Sequence, residues 1–519
     1  MDATLPPLIA QMLQPGFYPH PVQEPIQLIQ THISYILLTG EYAYKIKKPI
    51  NFGFLDFTTL EKRRYFCHEE LRLNKRLSPD LYLGILPILE SAGQYRLGKD
   101  DTEQTIAEYA LQMREFPQEM LLGQLFQDGK LTPEIVQQLA MQVATFHTSA
   151  ITNAEVTTYG SIKSVQTVDN NNQDISIPFI GTSQTQQQLD ETRAFTTQFF
   201  ERHADWFAQR QTEGKIRECH GDLHLNNVCI YKDNIQIFDC IEFNQVFRNI
   251  DVIYDAAFLV MDLEFRGRVD LANLFLNTYL EQTGDYKGAV LLPLYLSMRA
   301  YIRGKVNSLA LNDVAISNLD KAEFLRQAQA YYRQAWAYTC QSPGRIILMS
   351  GLSGSGKSTV ARQLAQKLNA IHVRSDAVRK HLAEIPLYQR GDDGGTLGSG
   401  IYTPEMTQKT YSTLLEIGVL LAQQGWPVIL DAKYDHTSLR QKVLEAAIAA
   451  HIPITIVECT APIEVLRDRL HQRTHDISDA TADLLENQIK AAEPLTDSEQ
   501  NFAIPLRTDQ PLEPQLNQI

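Results

Sequence analysis

No apolar run approaching about 18 residues occurs anywhere in the chain, so the stretch a membrane-spanning helix needs is missing and no membrane partner is expected. Disulfide and zinc frameworks are missing as well. The six cysteines, Cys67, Cys219, Cys229, Cys240, Cys340 and Cys459, form no C-x-x-C pair and have no histidines at zinc spacing. They read as small apolar side chains of a reducing compartment. The opening "MDATLPPLIAQML" lacks a basic start and a small-residue cleavage site, and the expected location is the cytoplasm. Positive charge is in deficit, with 47 Lys and Arg against 61 Asp and Glu and a formal net charge of -14. Such a balance repels polyanions at long range and argues against nucleic acid as a partner.

What is present is an ordinary globular composition, 44% hydrophobic and 21% charged, in 519 residues. That length exceeds what one core usually serves, so two domains are expected. "CQSPGR" (340–345) places Pro and Gly ahead of a strongly apolar strand. It divides the chain into 1–340, with a small lobe over about 1–110 and a large lobe over 111–340, and 341–519. The first region opens with strand-like "HISYILL" and "AYKIKKP", continues into the helix "LEKRRYFCHEELRLNKRL" and becomes largely helical, an α+β arrangement. The polar, Asn-rich "TTYGSIKSVQTVDNNNQDISIP" (157–178) is expected to be a surface loop. The second region alternates apolar strands with helices, as an α/β domain with a parallel sheet does. Its tail from about 500 is expected to be partly extended, with few core residues after Phe502 and Ile504.

"GLSGSGKST" (351–359) meets the full pattern G-x-x-x-x-G-K-[ST] between an apolar strand and a helix. A polyphosphate needs backbone N–H donors crowded around it, which Gly351, Ser353, Gly354, Ser355 and Gly356 allow. Lys357 serves the β and γ phosphates, and Ser358 offers Mg2+ a hydroxyl, with Thr359 beside it. In "VRSDAVRKHL", Asp376 follows the second strand and Arg379 lies one helical turn on. The carboxylate suits an acceptor hydroxyl and the guanidinium suits phosphoryl oxygens. Asp431 ends the strand in "PVILDAKY", where an acid near Mg2+ belongs. Arg469 and Arg473, at i and i+4 in "LRDRLHQR", can fold over the nucleotide as a lid.

A second constellation lies in "HGDLHLNN" (220–227). Its spacing offers Asp222 to an acceptor hydroxyl and Asn227 to a metal, and Asp239 ends a following apolar strand as a second metal ligand. His224 and Asn226 read as turn residues. In "LYLSMRAYIRGKV", Arg299 and Arg303 read as a solvated helix face.

On these motifs the second half resembles the P-loop small-molecule kinases that include gluconate kinase, chloramphenicol phosphotransferase, polynucleotide kinase and the zeta-toxin group. The "HGDLHLNN" half resembles the aminoglycoside phosphotransferase family, which is built like protein kinases. That resemblance implies an ATP-anchoring lysine, Lys45 with Lys47 as the alternative, and a helix glutamate, Glu70 before Glu69. It departs from protein kinases in having only "LLTGEYAY" where a Gly-rich loop would stand. Over its length the chain resembles bifunctional aminoglycoside phosphotransferase/ATP-binding proteins. Phosphoryl transfer from Mg-ATP to a hydroxyl of a small molecule, at two fused kinase-like sites, is the implied activity. A nucleotide-regulated switch with an inactive kinase-like half and a polynucleotide 5'-hydroxyl kinase are the alternatives.

Overall fold

The computed structural model of the protein describes residues 5–98, 105–313, 316–340, 342–389, 400–473 and 476–519. The expectations about residues 1–4 of the opening segment and about Gln341 in "CQSPGR" lie outside the described residues. By packing, the chain forms two compact units, one of residues 1–132, 149–165 and 207–259 and one of residues 133–148, 166–206 and 260–519.

The first unit contains an antiparallel sheet of β1 (Gln27–Gln30), β2 (Ser34–Leu38), β3 (Tyr42–Lys47), β4 (Tyr82–Ser91), β5 (Gln94–Leu97) and β6 (Thr105–Arg114), in the order β1-β2-β3-β6-β4-β5. Side chains alternate across a strand. In β3 this puts Tyr44 and Ile46 into an apolar cluster with Ile9, Met12, Leu37 and Ile88, and leaves Lys45 and Lys47 to helix α1 (Leu60–Asn74). Thr59 caps α1 by accepting the Lys62 N–H. The buried positions of α1 recur at helical spacing, yet Arg63, Glu70 and Asn74 among them are polar. Ion pairs such as Arg63 with Glu108, 2.7 Å, therefore attach this helix where an apolar stripe would usually do so. Farther along, β7 (Ile216–Glu218) pairs with β10 (Asn249–Asp251), and β8 (Val228–Tyr231) and β9 (Asn234–Ile237) form a hairpin. The hairpin turn is centred on Lys232 and Asp233, both at positive φ.

The stretch 157–178 is not a loop. Most of it is helix α2 (Ile162–Ser176), whose Asp169, Asn172, Gln173 and Ser176 recur at helical spacing and are buried. Their partners are remote in sequence. Lys305 donates to Asn172 at 2.6 Å, Arg193 to Gln173 at 3.0 Å, and Tyr301 shares a hydrogen with Ser176 at 2.5 Å. Polar side chains become core material when every one of them is paired, and those pairings cannot be seen in a local window. Beyond α2, helix α3 (Val269–Thr283) ends at Gly284, φ 67°, and helix α4 (Leu292–Ala310) carries Arg299 and Arg303. These two do not form the expected solvated face, since Arg299 is buried and Arg303 lies 5.7 Å over the Tyr331 ring.

The phosphate-loop half is a five-stranded parallel sheet of β11 (Arg345–Ser350), β12 (Ile371–Arg374), β13 (Pro427–Asp431), β14 (Ile454–Thr460) and β15 (Ala503–Arg507), ordered β12-β13-β11-β14-β15. Helices α5 (Lys357–Leu368), α6 (Ser375–Leu382), α7 (Pro404–Gln423), α8 (Thr437–Ala449) and α9 (Ile463–Gln472) connect or cover it. The tail supplies more core than expected. β15 joins the sheet edge, and Leu506 and Leu516 enter the cluster around Ile347, Val360 and Val457.

Burial pushes the Asp169 carboxyl up to about 7, against the weaker opposing effects of Thr196 and Arg193. Its folded pKa therefore lies above the unfolded value of about 3.9, and the unfolded chain gives up this proton first. Between those two values the Asp169 contribution to stability falls as pH rises. Asp169→Asn should thus gain stability relative to wild type on going from pH 5 to pH 8, measured as urea midpoints. A difference that does not change with pH would contradict the assignment.

Candidate functional site

The second unit holds a cavity of 630 Å³ at the carboxyl ends of its parallel strands. β11 delivers the chain into "GLSGSGKS", and α5 starts at Lys357 behind Gly356, φ 85°. Glycine is required at Gly351 and Gly354, where φ is 138° and 80° and a Cβ would stand 2.4 Å from the Cys459 carbonyl oxygen and 2.7 Å from that of Leu466. The Ser355 hydroxyl is buried with no hydrogen-bond partner among the described residues, a group that an incoming phosphate oxygen would satisfy. Lys357 Nζ rests on the Leu352 carbonyl at 2.7 Å, and burial lowers its pKa.

Around the loop the structure gathers Ser353, Gly354, Gly356, Ser358, Thr359, Asp376, Arg379, Asp431, Arg469 and Arg473 as lining. Asp431 ends β13 and accepts a hydrogen bond from His372 Nε2 at 3.0 Å. Burial alone would raise its pKa, but the His372 hydrogen bond and the neighbouring His372, Arg374 and Lys357 charges outweigh it and bring the carboxyl down to about 2. Asp376 shows the opposite balance, with desolvation raising its carboxyl despite Arg374 and Arg379. Arg379 is buried, stacks 4.9 Å over Tyr402 and uses Nη1 on the Ile401 carbonyl and the Thr407 hydroxyl. Among the described residues its Nε and Nη2 make no hydrogen bond. Arg469 is tied to Thr508, whose hydroxyl donates to the Ser355 carbonyl. Arg473 is not on the helix with Arg469, because α9 stops at Gln472 and Arg473 is its extended cap residue.

Motif reasoning missed Arg374, Tyr402, His436, Asp476 and Asp479, which also line this cavity. One signal was available in β12, where His372 and Arg374 stand two apart in a strand that otherwise reads as apolar. The others come from loops and helices with no local pattern.

The first unit assembles the other constellation. Lys45 Nζ lies 2.7 Å from Glu70 and 2.6 Å from Asp239, while Lys47 reaches the second Glu70 oxygen at 2.6 Å and also pairs with Glu242. Glu69 instead accepts from Arg72 and Arg248. The two lysines thus divide: Lys45 bridges the α1 glutamate to Asp239, and Lys47 is the inner cation of a fully buried pair of acids. Burial opposes the charge on Glu70, and the two lysines override it and lower its pKa.

In the 220–227 loop, Asn227 Nδ2 donates to the Asp222 carbonyl at 3.0 Å and to its carboxylate at 3.1 Å. His224 is buried with Nε2 3.3 Å from the same carboxylate, so it is more than a turn residue. Asn226 is exposed. His220 Nε2 donates to the Phe238 carbonyl at 2.9 Å, linking the loop to the Asp239 segment. Asp255 escaped sequence reasoning. Its two oxygens accept the His220 and Gly221 backbone N–H groups, each at 2.9 Å, and hold the loop in shape. An acid inside the apolar "VIYDAAFLV" was the available hint.

These two sites belong to one chain whose C-terminal third is a P-loop kinase-like domain with a parallel sheet. A family model described as an AAA domain matches residues 346–495, and adenylyl-sulfate kinase of Myxococcus xanthus is 33% identical over 130 residues, 24% of this chain and 63% of that protein. The whole chain belongs to the family of the uncharacterized protein Rv2004c of Mycobacterium tuberculosis, to which it is 30% identical over 467 residues, 90% of each protein. Among solved structures, a gluconokinase from Sinorhizobium meliloti 1021 aligns at 23% identity over 34% of this chain and 90% of its own, with a TM-score of 0.25. Among the described residues, no helix is long and apolar enough to cross a membrane.

Removing the inner cation should be costly. Lys47→Ala leaves Glu242 and part of Glu70 buried without their partner, and is expected to lower stability by about 3–5 kcal/mol. Denaturant unfolding read on the intact chain checks this, and a loss below about 1 kcal/mol, typical of an exposed pair, would refute the buried network.

Proposed function

We propose that the protein is a Mg-ATP-dependent phosphotransferase that moves the γ-phosphoryl group to a hydroxyl of a small molecule, with the phosphate-loop cavity as a transfer site. One observation carries the reading. A single 630 Å³ cavity is lined by the phosphate loop, an aspartate of raised pKa, an aspartate of lowered pKa and several arginines, Arg379, Arg469 and Arg473 among them.

Those opposite shifts suit opposite tasks. Asp431 and Ser358 are the groups that would hold magnesium, which when bound neutralises phosphate charge. Asp376, made more basic by desolvation, accepts the proton of the acceptor hydroxyl as its oxygen attacks the γ phosphorus and the bond to the bridging oxygen of ADP breaks. Lys357 and the loop N–H groups hold the phosphates, and the Nε and Nη2 edge of Arg379, which makes no hydrogen bond among the described residues, takes phosphoryl oxygens. Arg469 and Arg473 close over the nucleotide.

The first unit is proposed as a second, aminoglycoside phosphotransferase-like kinase site. Lys45 anchors ATP and Glu70 orients it, Asp222 receives the acceptor proton, and Asn227 with Asp239 are the candidate metal ligands. The bridge from Glu70 through Lys45 to Asp239 supports choosing Lys45 over Lys47 for this role. The expected setting is cytoplasmic, with a small-molecule acceptor and neither nucleic acid nor membrane as partner.

The test is transfer of label from γ-labelled ATP into a cytoplasmic metabolite extract by wild type, Lys357→Ala, Asp376→Asn and Asp222→Asn, each checked for folding. Lys357→Ala should abolish transfer at the phosphate-loop site, and Asp376→Asn should cut it by about 10²–10⁴-fold while nucleotide still binds. The wild-type rate should fall as pH drops through a value above the ordinary aspartate range, because only ionised Asp376 accepts a proton. Label released solely as free phosphate, with Asp376→Asn indifferent, would replace the kinase reading by an ATP-driven switch. Loss of a labelled product with Asp222→Asn alone would assign an activity to the first unit.

A further inference from the structure

Strand β12 is the edge of the parallel sheet, so among the described residues one side of its backbone has no strand partner. Helix α3, which precedes the phosphate-loop strand by more than a whole helix in sequence, covers that side. Its Asn273, Asn277 and Glu281 stand at i, i+4 and i+8, one stripe of a helix. Asn273 and Asn277 each donate to the Ala370 carbonyl at 2.9 Å, and Asn277 Oδ1 accepts the His372 backbone N–H at 2.7 Å. Glu281 pairs with Arg374 at 3.5 Å, and its carbonyl accepts from His381 Nε2, 2.8 Å, on α6.

The residues held in this way lead straight to the chemistry. His372 donates to Asp431. Arg374 is buried, lines the phosphate-loop cavity and pairs on its other side with Asp476 at 2.7 Å. It also lines a second cavity of 240 Å³ together with Asn277, Glu281, Arg362 and His372, on the flank where Glu281 pairs with its guanidinium. α6, which begins directly after Arg374, carries Asp376 and Arg379. Gly284 permits the close approach, since a Cβ there would lie 2.9 Å from the His381 ring.

We propose that Asn277 and Glu281 are positioning residues of the phosphate-loop site. They set β12 and the start of α6, and through Arg374 the place of Asp376 and Asp431 relative to bound nucleotide. This inference rests on the phosphotransferase reading for its kinetic consequence only. Among the described residues none of helix α3 lines the phosphate-loop cavity, so it governs turnover and leaves the grip on nucleotide to Lys357 and the loop.

Glu281→Gln keeps the shape and removes the charge, and Asn277→Ser cuts the same tether independently should the first variant fold poorly. Each is expected to lower kcat for ATP-dependent turnover about tenfold or more, as small misplacements of reacting groups do, with Kd for ATP within about twofold of wild type. Hydrogen exchange of the 371–382 segment should rise in both variants while nucleotide still protects 351–359. Unchanged kcat together with unchanged exchange at 371–382 overturns the proposal, as does an equal loss of ATP affinity, which would mark a general structural role. If wild type and Lys357→Ala show the same turnover, the functional reading is what fails. Exchange alone then decides, and unchanged exchange at 371–382 in both variants overturns the tether.

Discussion

A polyphosphate can be surrounded by enough donors only where backbone N–H groups crowd together without side chains between them, and the segment 345–368 is built to that requirement. Gly351 and Gly354 adopt backbone angles that a side chain would oppose, and each presses against a carbonyl oxygen of a neighbouring segment. The loop can be held so tightly because β11 lies in the middle of its sheet, paired with β13 and β14 on either side. Parallel pairing then brings the carboxyl ends of β12 and β13 to the same edge as the loop. Asp431 and Asp376 arrive in the cavity beside the phosphate loop as a consequence of that register.

Charge is closely paired in both constellations. Asp431 is kept ionised by His372 and nearby cations, whereas Asp376, a few residues from Arg374 and Arg379, is kept more basic by desolvation. In the first unit, two lysines share one glutamate and each takes a further acid, Asp239 or Glu242. Buried charges of this kind contribute little when complete and cost much when one partner is removed. They impose one arrangement of α1, β3 and the segment after β9, which is what a site needs from its surroundings.

Much of this was legible locally. The strands and helices of the phosphate-loop half follow from apolar alternation and Gly/Pro punctuation, and the loop itself from its full motif. Asp222, Asn227 and Asp239 could be nominated by spacing, and Glu70 by the family resemblance. What escaped were residues whose meaning is a distant partner. Helix α2 looked like a loop because its buried face is polar and its partners, Arg193, Tyr301 and Lys305, lie far along the chain. Arg299 and Arg303 looked solvated because charges spaced along one helix face usually are. Asp255 looked like any acid until its oxygens were found on the backbone of the 220–227 loop.

The sequence by itself determined the chemistry on offer, namely a glycine loop ahead of a lysine, carboxylates at strand ends, and a histidine-aspartate-asparagine loop, because these depend on residue type and short spacing. Tertiary structure decided which of two lysines meets Asp239, which of two adjacent glutamates they share, and which helix covers the open edge of β12. Those choices turn on distances of a few ångströms between segments up to nearly two hundred residues apart, and electrostatic and hydrogen-bond energies at that range depend on position and burial, which spacing along the chain does not specify.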